Sequence, residues 1–138
     1  MIPIVDTGPL VAMLDRSDRH HAWAVGVFSE LRGGLVTCEA VIAETLFLCA
    51  RNRVDARAIH LLLENQSLRV LPCLAEAPVK VLQLLRRYAT VPMSLADAGL
   101  VYLHDTLAPS VVITCDSDFR IYRRNRGRFI DALVPDGI

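Results

Sequence analysis

Five carboxylates stand where this chain could do chemistry: Asp6, Glu44, Asp97, Asp116 and Asp118. Asp6 closes the apolar run Ile2-Pro3-Ile4-Val5. Asp116 and Asp118 follow the run Ser110-Val111-Val112-Ile113, within Thr114-Cys115-Asp116-Ser117-Asp118. Short β-branched runs bounded by turn residues read as buried strands. In a parallel α/β sheet, ligands bind outside the carboxyl ends of the strands. Two strands that deliver carboxylates to that edge would build a negatively charged pocket. Such a pocket is costly without a positive charge inside it, and a metal ion is the first candidate.

Each carboxylate also has a plain structural reading. Asp6 precedes Thr7-Gly8-Pro9 and reads equally as the cap of a following helix. Glu44 lies in Val41-Ile42-Ala43-Glu44-Thr45-Leu46-Phe47-Leu48. On a helix it shares a face with Val41 and Leu48, both expected in the core. A glutamate there is seldom fully buried unless paired. Either an arginine meets it, or the helix is rotated to bring it to the rim, or it belongs to a site. Ser94-Leu95-Ala96-Asp97 fits a loose capping box, and capping alone explains Asp97. Its small neighbours Ala96, Ala98 and Gly99 would also let a ligand approach. Asp116 and Asp118 can point at one region, or simply form a turn before Phe119. If all five converge, the donors are oxygen alone, which favours Mg²⁺ or Mn²⁺. Such ions activate water and clamp phosphodiester oxygens during in-line displacement.

The elements that must position these groups alternate along the chain. Strands read over 2–5, 35–37, 68–71, 111–114 and 129–134. Helices read over 9–14, 20–31, 39–51, 78–88 and 94–104, with another from an Asp55 cap to 63 and a helical turn over 119–124. Gly33-Gly34 stops the second helix. Strands separated by helices argue for an α/β fold: a central parallel sheet of four to five strands between helical layers, α/β/α, as a single domain over 1–138.

Bulk composition narrows the partners. Lys+Arg and Asp+Glu both number 15, so no global basic field draws in nucleic acid. Lys80 is the only lysine and every other basic residue is arginine, which suits bidentate phosphate or carboxylate contacts. Cys38, Cys49, Cys73 and Cys115 form no Cys-x-x-Cys pair. That spacing argues against zinc and against a redox dithiol, and we read four reduced core thiols in a cytoplasmic protein. The chain enters a strand without a charged leader, and it has no apolar run of about 18 residues.

Four segments together resemble the motifs of PIN-domain ribonucleases, especially VapC-type toxins. They are Val5-Asp6-Thr7-Gly8-Pro9-Leu10-Val11-Ala12, Thr37-Cys38-Glu39-Ala40-Val41-Ile42-Ala43-Glu44, Ser94-Leu95-Ala96-Asp97-Ala98 and Thr114-Cys115-Asp116-Ser117-Asp118-Phe119. They span almost the whole chain in the family's order. The resemblance implies a PIN-like fold and a Mg²⁺- or Mn²⁺-dependent endoribonuclease. It implies Asp6, Glu44, Asp97 and Asp116 as the acidic quartet, with metal bound through Asp6, Asp97, Asp116 and Asp118. Asp118 would be an auxiliary ligand or supporting group, and Thr7 and Thr114 would orient carboxylates. It further implies a homodimer and, for a toxin, a small antitoxin partner whose tail occupies the site.

Among the remaining candidates, Arg120, Arg123 and Arg124 lead an arginine-rich stretch close behind Asp116. We expect them to meet RNA phosphates beside the metal site. His20, His21 and Trp23 read as helix-start packing, and His60 and His104 as ordinary helix positions. An aspartyl-phosphate transfer enzyme would also place aspartates at strand ends, but it needs a lysine near the phosphate, and Lys80 lies inside a predicted helix. A catalytically silent scaffold that binds RNA or a protein is the other rival. Loss of an acidic position would favour it, yet all four quartet positions are acidic.

Overall fold

The computed structural model describes all residues 1–138. Five strands, β1 (Ile2–Val5), β2 (Leu35–Thr37), β3 (Leu68–Val70), β4 (Ser110–Ile113) and β5 (Ala132–Leu133), form one parallel sheet in the order β3-β2-β1-β4-β5. Helices α1 (Thr7–Leu14), α2 (His21–Leu31), α3 (Glu39–Arg51), α4 (Arg57–Glu64), α5 (Pro78–Arg87) and α6 (Leu95–Thr106) flank it. This is the α/β architecture expected from the alternation, and the PIN-like fold that the resemblance implies. None of these helices is long and apolar enough to cross a membrane.

Chain order explains where a site can form. From β1 the chain builds outward through β2 to β3, then crosses back to lay β4 on the other side of β1. Such a reversal opens a crevice at the carboxyl ends of the two inner strands. Register fixes what stands there: Val5 pairs with Ile113, so Asp6 and Thr114 leave the sheet side by side. The Asp6 N–H continues the ladder to the Ile113 carbonyl at 2.9 Å.

The buried runs behave as β-branched runs should. Ile4, Val5, Val112 and Ile113 are fully buried, as expected for strands covered on both faces. Helix α6 is the central helix: Ala96, Ala98, Gly99, Leu100, Val101 and Leu103 are all buried. Gly99 is required by a close approach, since a Cβ there would stand 2.9 Å from Cys38 Sγ.

Several boundaries differ from the sequence reading for physical reasons. Only 132–133 of the expected strand 129–134 pairs with β4, because Phe129 instead bridges antiparallel to Arg123. Asp55 lies one residue outside the cap of α4, which is Ala56, yet its Oδ1 still accepts the Arg57 N–H at 2.9 Å. Helix α2 ends on Arg32 at φ 48°, ahead of Gly33 at φ 96° and Gly34 at φ 72°. His104 is no ordinary helix position. It is fully buried, with Nδ1 2.8 Å from Ser110 Oγ and Nε2 accepting the Asp131 N–H at 3.2 Å. It ties α6 to β4 and to the start of β5.

Candidate metal centre

Asp6 is the innermost of the five carboxylates. It caps α1, with Oδ1 accepting the Thr7 N–H at 2.7 Å. Its Oδ2 accepts the Thr114 hydroxyl, also at 2.7 Å. The capping role and a place in the site are therefore the same geometry rather than competing readings. Burial raises the Asp6 pKa to about 7, against the Thr114 hydrogen bond that lowers it; nearby Asp97 and Asp116 raise it further. Gly8 makes the strand exits meet closely, since a Cβ there would stand 3.1 Å from Cys115 Cβ.

Thr114 links the Asp6 carboxylate to the backbone of Asp116. While its hydroxyl donates to Asp6, its Oγ1 accepts the Asp116 N–H at 2.9 Å. Asp116 Oδ1 in turn accepts the Asp118 N–H at 2.9 Å, opening the 3₁₀ turn Ser117–Arg120. Asp97 enters from the first turn of α6. Ser94 caps that helix, its Oγ accepting the Asp97 N–H at 3.0 Å. The Asp97 carboxylate does not complete a reciprocal box. Its Oδ2 accepts the hydroxyl of Tyr122 at 2.6 Å. Burial is the largest cause raising the Asp97 pKa, and Asp116 and Asp118 add to it.

One carboxylate oxygen each from Asp97, Asp116 and Asp118 lies within 4.8 Å of the others. Asp118 is thus a full member of this cluster, where the family pattern allowed either an auxiliary ligand or a supporting group. Glu44 stands apart from that trio. It is exposed on α3, and Leu48, expected in the core, is only half-buried. The helix is rotated to bring Glu44 to the rim, where Thr7 donates its hydroxyl to Oε2 at 3.1 Å. All five carboxylates nevertheless border one cleft of about 690 Å³, together with Arg19, Gly137 and Ile138.

The donor set is oxygen only, and Asp6, Asp97 and Asp118 all have raised pKa values. Burial is the first cause of each rise, and carboxylate oxygens gathered in one cleft suit a hard divalent cation.

The arginines expected beside the site lie elsewhere. Beyond the 3₁₀ turn the chain swings away. Arg123 Nη1 donates to the carbonyls of Arg120, Ile121 and Tyr122, and its guanidinium sits 4.3 Å above the Phe129 ring. Arg124 Nε stands 3.6 Å from Asp105, and its Nη1 3.7 Å from Asp131. Arg123 and Arg124 border a separate cavity of about 140 Å³, which also takes Lys80. Arg120 is exposed and borders neither. The cation at the cleft is Arg19, whose Nε donates to His20 Nε2 at 3.0 Å. Sequence reasoning passed over Arg19 and Tyr122. An aromatic hydroxyl four residues after Asp118 was the available signal for the latter.

A parallel α/β sheet with a carboxylate-lined cleft at its reversal point defines a protein shaped to hold a divalent cation. The sequence matches the family model described as PIN domain over residues 4–125, and the chain belongs to that family. PIN domains are in general metal-dependent nucleases. A search of curated proteins gave no significant match.

Proposed function

We propose that the protein is a Mg²⁺- or Mn²⁺-dependent endoribonuclease. The observation that carries this reading is the convergence of Asp97, Asp116 and Asp118 within 4.8 Å, in a cleft that also holds Asp6 and Glu44. Asp97, Asp116 and Asp118 would hold the ion, with Asp6 at the inner wall. The ion, when bound, would acidify a water and neutralise charge on the phosphate under attack. Thr114 fixes Asp6, and Tyr122 fixes one oxygen of Asp97, so the inner carboxylates are positioned before substrate arrives. Glu44, exposed and hydrogen-bonded by the Thr7 hydroxyl, would take a proton from an attacking water. Arg19 supplies the local positive charge that a phosphodiester needs, in a chain whose overall charge is zero.

The biological role we assign is that of a toxin paired with a small antitoxin, acting in the cytoplasm as a homodimer. This rests on the likeness of the four acidic motifs to VapC-type chains. An aspartyl-phosphate mechanism loses its remaining support, because Lys80 borders the other cavity.

Purified protein should cut RNA in Mn²⁺ or Mg²⁺ and stop on addition of a chelator. Asp116→Asn should lose cleavage. Cleavage by Asp116→Asn at the wild-type rate would overturn the assignment. RNA binding without cleavage under any divalent ion would instead establish a silent scaffold.

A further inference from the structure

We propose that Cys38 and Cys73 form a peroxide-reactive dithiol, a modification site separate from the acidic cleft. Cys38 follows β2 and Cys73 follows β3, two neighbouring parallel strands in which Thr37 pairs with Val70. The sequence hides this pair, because the two cysteines stand 35 positions apart with no Cys-x-x-Cys spacing. The fold brings both sulfurs under one point of α6. A Cβ placed on Gly99 would stand 2.9 Å from Cys38 Sγ and 3.5 Å from Cys73 Sγ. Cys38 Sγ points to the Ala96 carbonyl at 4.0 Å and Cys73 Sγ to the Gly99 carbonyl at 3.6 Å, adjacent turns of the same helix, and neither is in a disulfide. Both border an apolar cavity of about 460 Å³, at whose edge Leu74 and Leu95 are each 41% exposed. A small solute can therefore reach sulfurs that a macromolecule cannot.

The surroundings separate the two thiols. Cys38 stands at the start of α3. The neighbouring Cys73 thiol and the N–H groups of Val41 and Ala40 hold its thiol below the ordinary range, against burial. Helix N-termini favour thiolates in this way. The closeness of Cys38, with burial, pushes the Cys73 thiol up. Cys38, seated at the N-cap of α3, is the attacking sulfur, and Cys73, in the loop after β3, is the partner that resolves it.

The chemistry balances with hydrogen peroxide as the oxidant. The Cys38 thiolate attacks one peroxide oxygen; an S–O bond forms, the O–O bond breaks, and hydroxide leaves to take up the proton Cys38 has lost. Cys73 sulfur then attacks the sulfenic sulfur. The S–S bond forms, the S–O bond breaks, and water leaves with the Cys73 proton. Two thiols and one peroxide become one disulfide and two waters. The pair lies beside the first turns of α3 and α6, the helices that carry Glu44 and Asp97.

The test maps thiols and does not depend on RNA cleavage. The full chain is treated with hydrogen peroxide, alkylated and digested, and its peptides are weighed. Two of the four cysteines should resist alkylation, joined as an intramolecular Cys38–Cys73 disulfide that a thiol reductant reverses. Cys49 and Cys115 should stay alkylatable. Cys73→Ser should halt at a sulfenic acid on Cys38 that a cyclic diketone traps. Cys38 and Cys73 remaining fully alkylatable after peroxide would overturn the proposal. So would a linkage to Cys115 or between chains.

Discussion

Tyr122 donates its hydroxyl hydrogen to Asp97 Oδ2 at 2.6 Å, joining the turn that follows β4 to the first turn of α6. Tyr122 is fully buried and packed edge-on against Tyr88 and Phe119, with ring centroids 5.1 and 5.2 Å away. The hydroxyl cannot swing elsewhere, so it holds one Asp97 oxygen in place and leaves the other for the cleft. Tyr122→Phe keeps the packing and removes this bond to a buried carboxyl group. The expected cost is about 1–3 kcal/mol in urea unfolding, with weaker Mn²⁺ binding. Unchanged stability and metal affinity would mean that Asp97 is positioned by α6 alone.

A second prediction concerns the trio of Asp97, Asp116 and Asp118. A ligand that binds only the folded state at 100 times its Kd adds about 2.7 kcal/mol of stability. Mn²⁺ should therefore raise the melting temperature of the metal-free protein. Asp118→Asn should blunt that rise as strongly as Asp116→Asn does, because both carboxylates stand in the tightest cluster. A full Mn²⁺ response in Asp118→Asn would return that residue to a supporting place.

Strands and helices were legible because their signals are local. The run Glu39–Arg51 is apolar at helical spacing and folds as read. Asp6, Asp97 and Asp116 were legible because each closes a strand or opens a helix. Leu48 was misjudged because periodicity gives a helix face but not its rotation against the sheet. Tyr122 and Arg19 were invisible for another reason. Their relations to the cleft run from Tyr122 back to Asp97, and from Arg19 to a cleft built largely by residues beyond position 90. Arg123 and Arg124 misled because nearness in sequence to Asp116 was taken for nearness in space, and a 3₁₀ turn intervenes.

Asp6 gives the pH dependence. Its carboxyl group titrates near pH 7 when folded, against 3.8 as the ordinary value. Between these values the folded state binds more protons than the unfolded one. The Asp6 contribution to metal-free stability thus falls as pH rises from about 4 to 7, by up to roughly 4 kcal/mol. Asp6→Asn should gain on wild type across that window when unfolding is followed with chelator present. Parallel stability curves for the two proteins would show that Asp6 ionises normally. Mn²⁺ binding near pH 6 should also release protons, detectable by calorimetry in buffers of different ionisation enthalpy.

Gly99 tests the packing of α6. An alanine there fits the helix but drives its Cβ to 2.9 Å from Cys38 Sγ. Gly99→Ala should destabilise by about 1–3 kcal/mol, despite the better helix propensity of alanine. Adding Cys38→Ala removes the obstructing sulfur and should recover part of that loss. Additive costs in the double variant would place the strain elsewhere.

Arg19 and Arg124 should separate binding from folding. Arg19→Ala should weaken binding to a single-stranded RNA and lower the salt slope by about 0.7, the value for one lost phosphate contact. Arg124→Ala should leave that slope alone and lower stability, since Arg124 sits against Asp105 and Asp131 rather than the cleft. The reverse pattern would move the RNA path to the Lys80 cavity.

Gly137 and Ile138 border the acidic cleft, while Met1, 74% exposed, precedes β1 at the opposite edge of the sheet. Any residue joined after Ile138 therefore begins at the mouth of the cleft. A carboxyl-terminal histidine tag would bring metal-binding imidazoles to a site built from carboxylates, and a fused reporter would crowd whatever polymer enters. Purification handles belong on Met1, and a tag moved from one end to the other is itself a probe of how open the cleft must be.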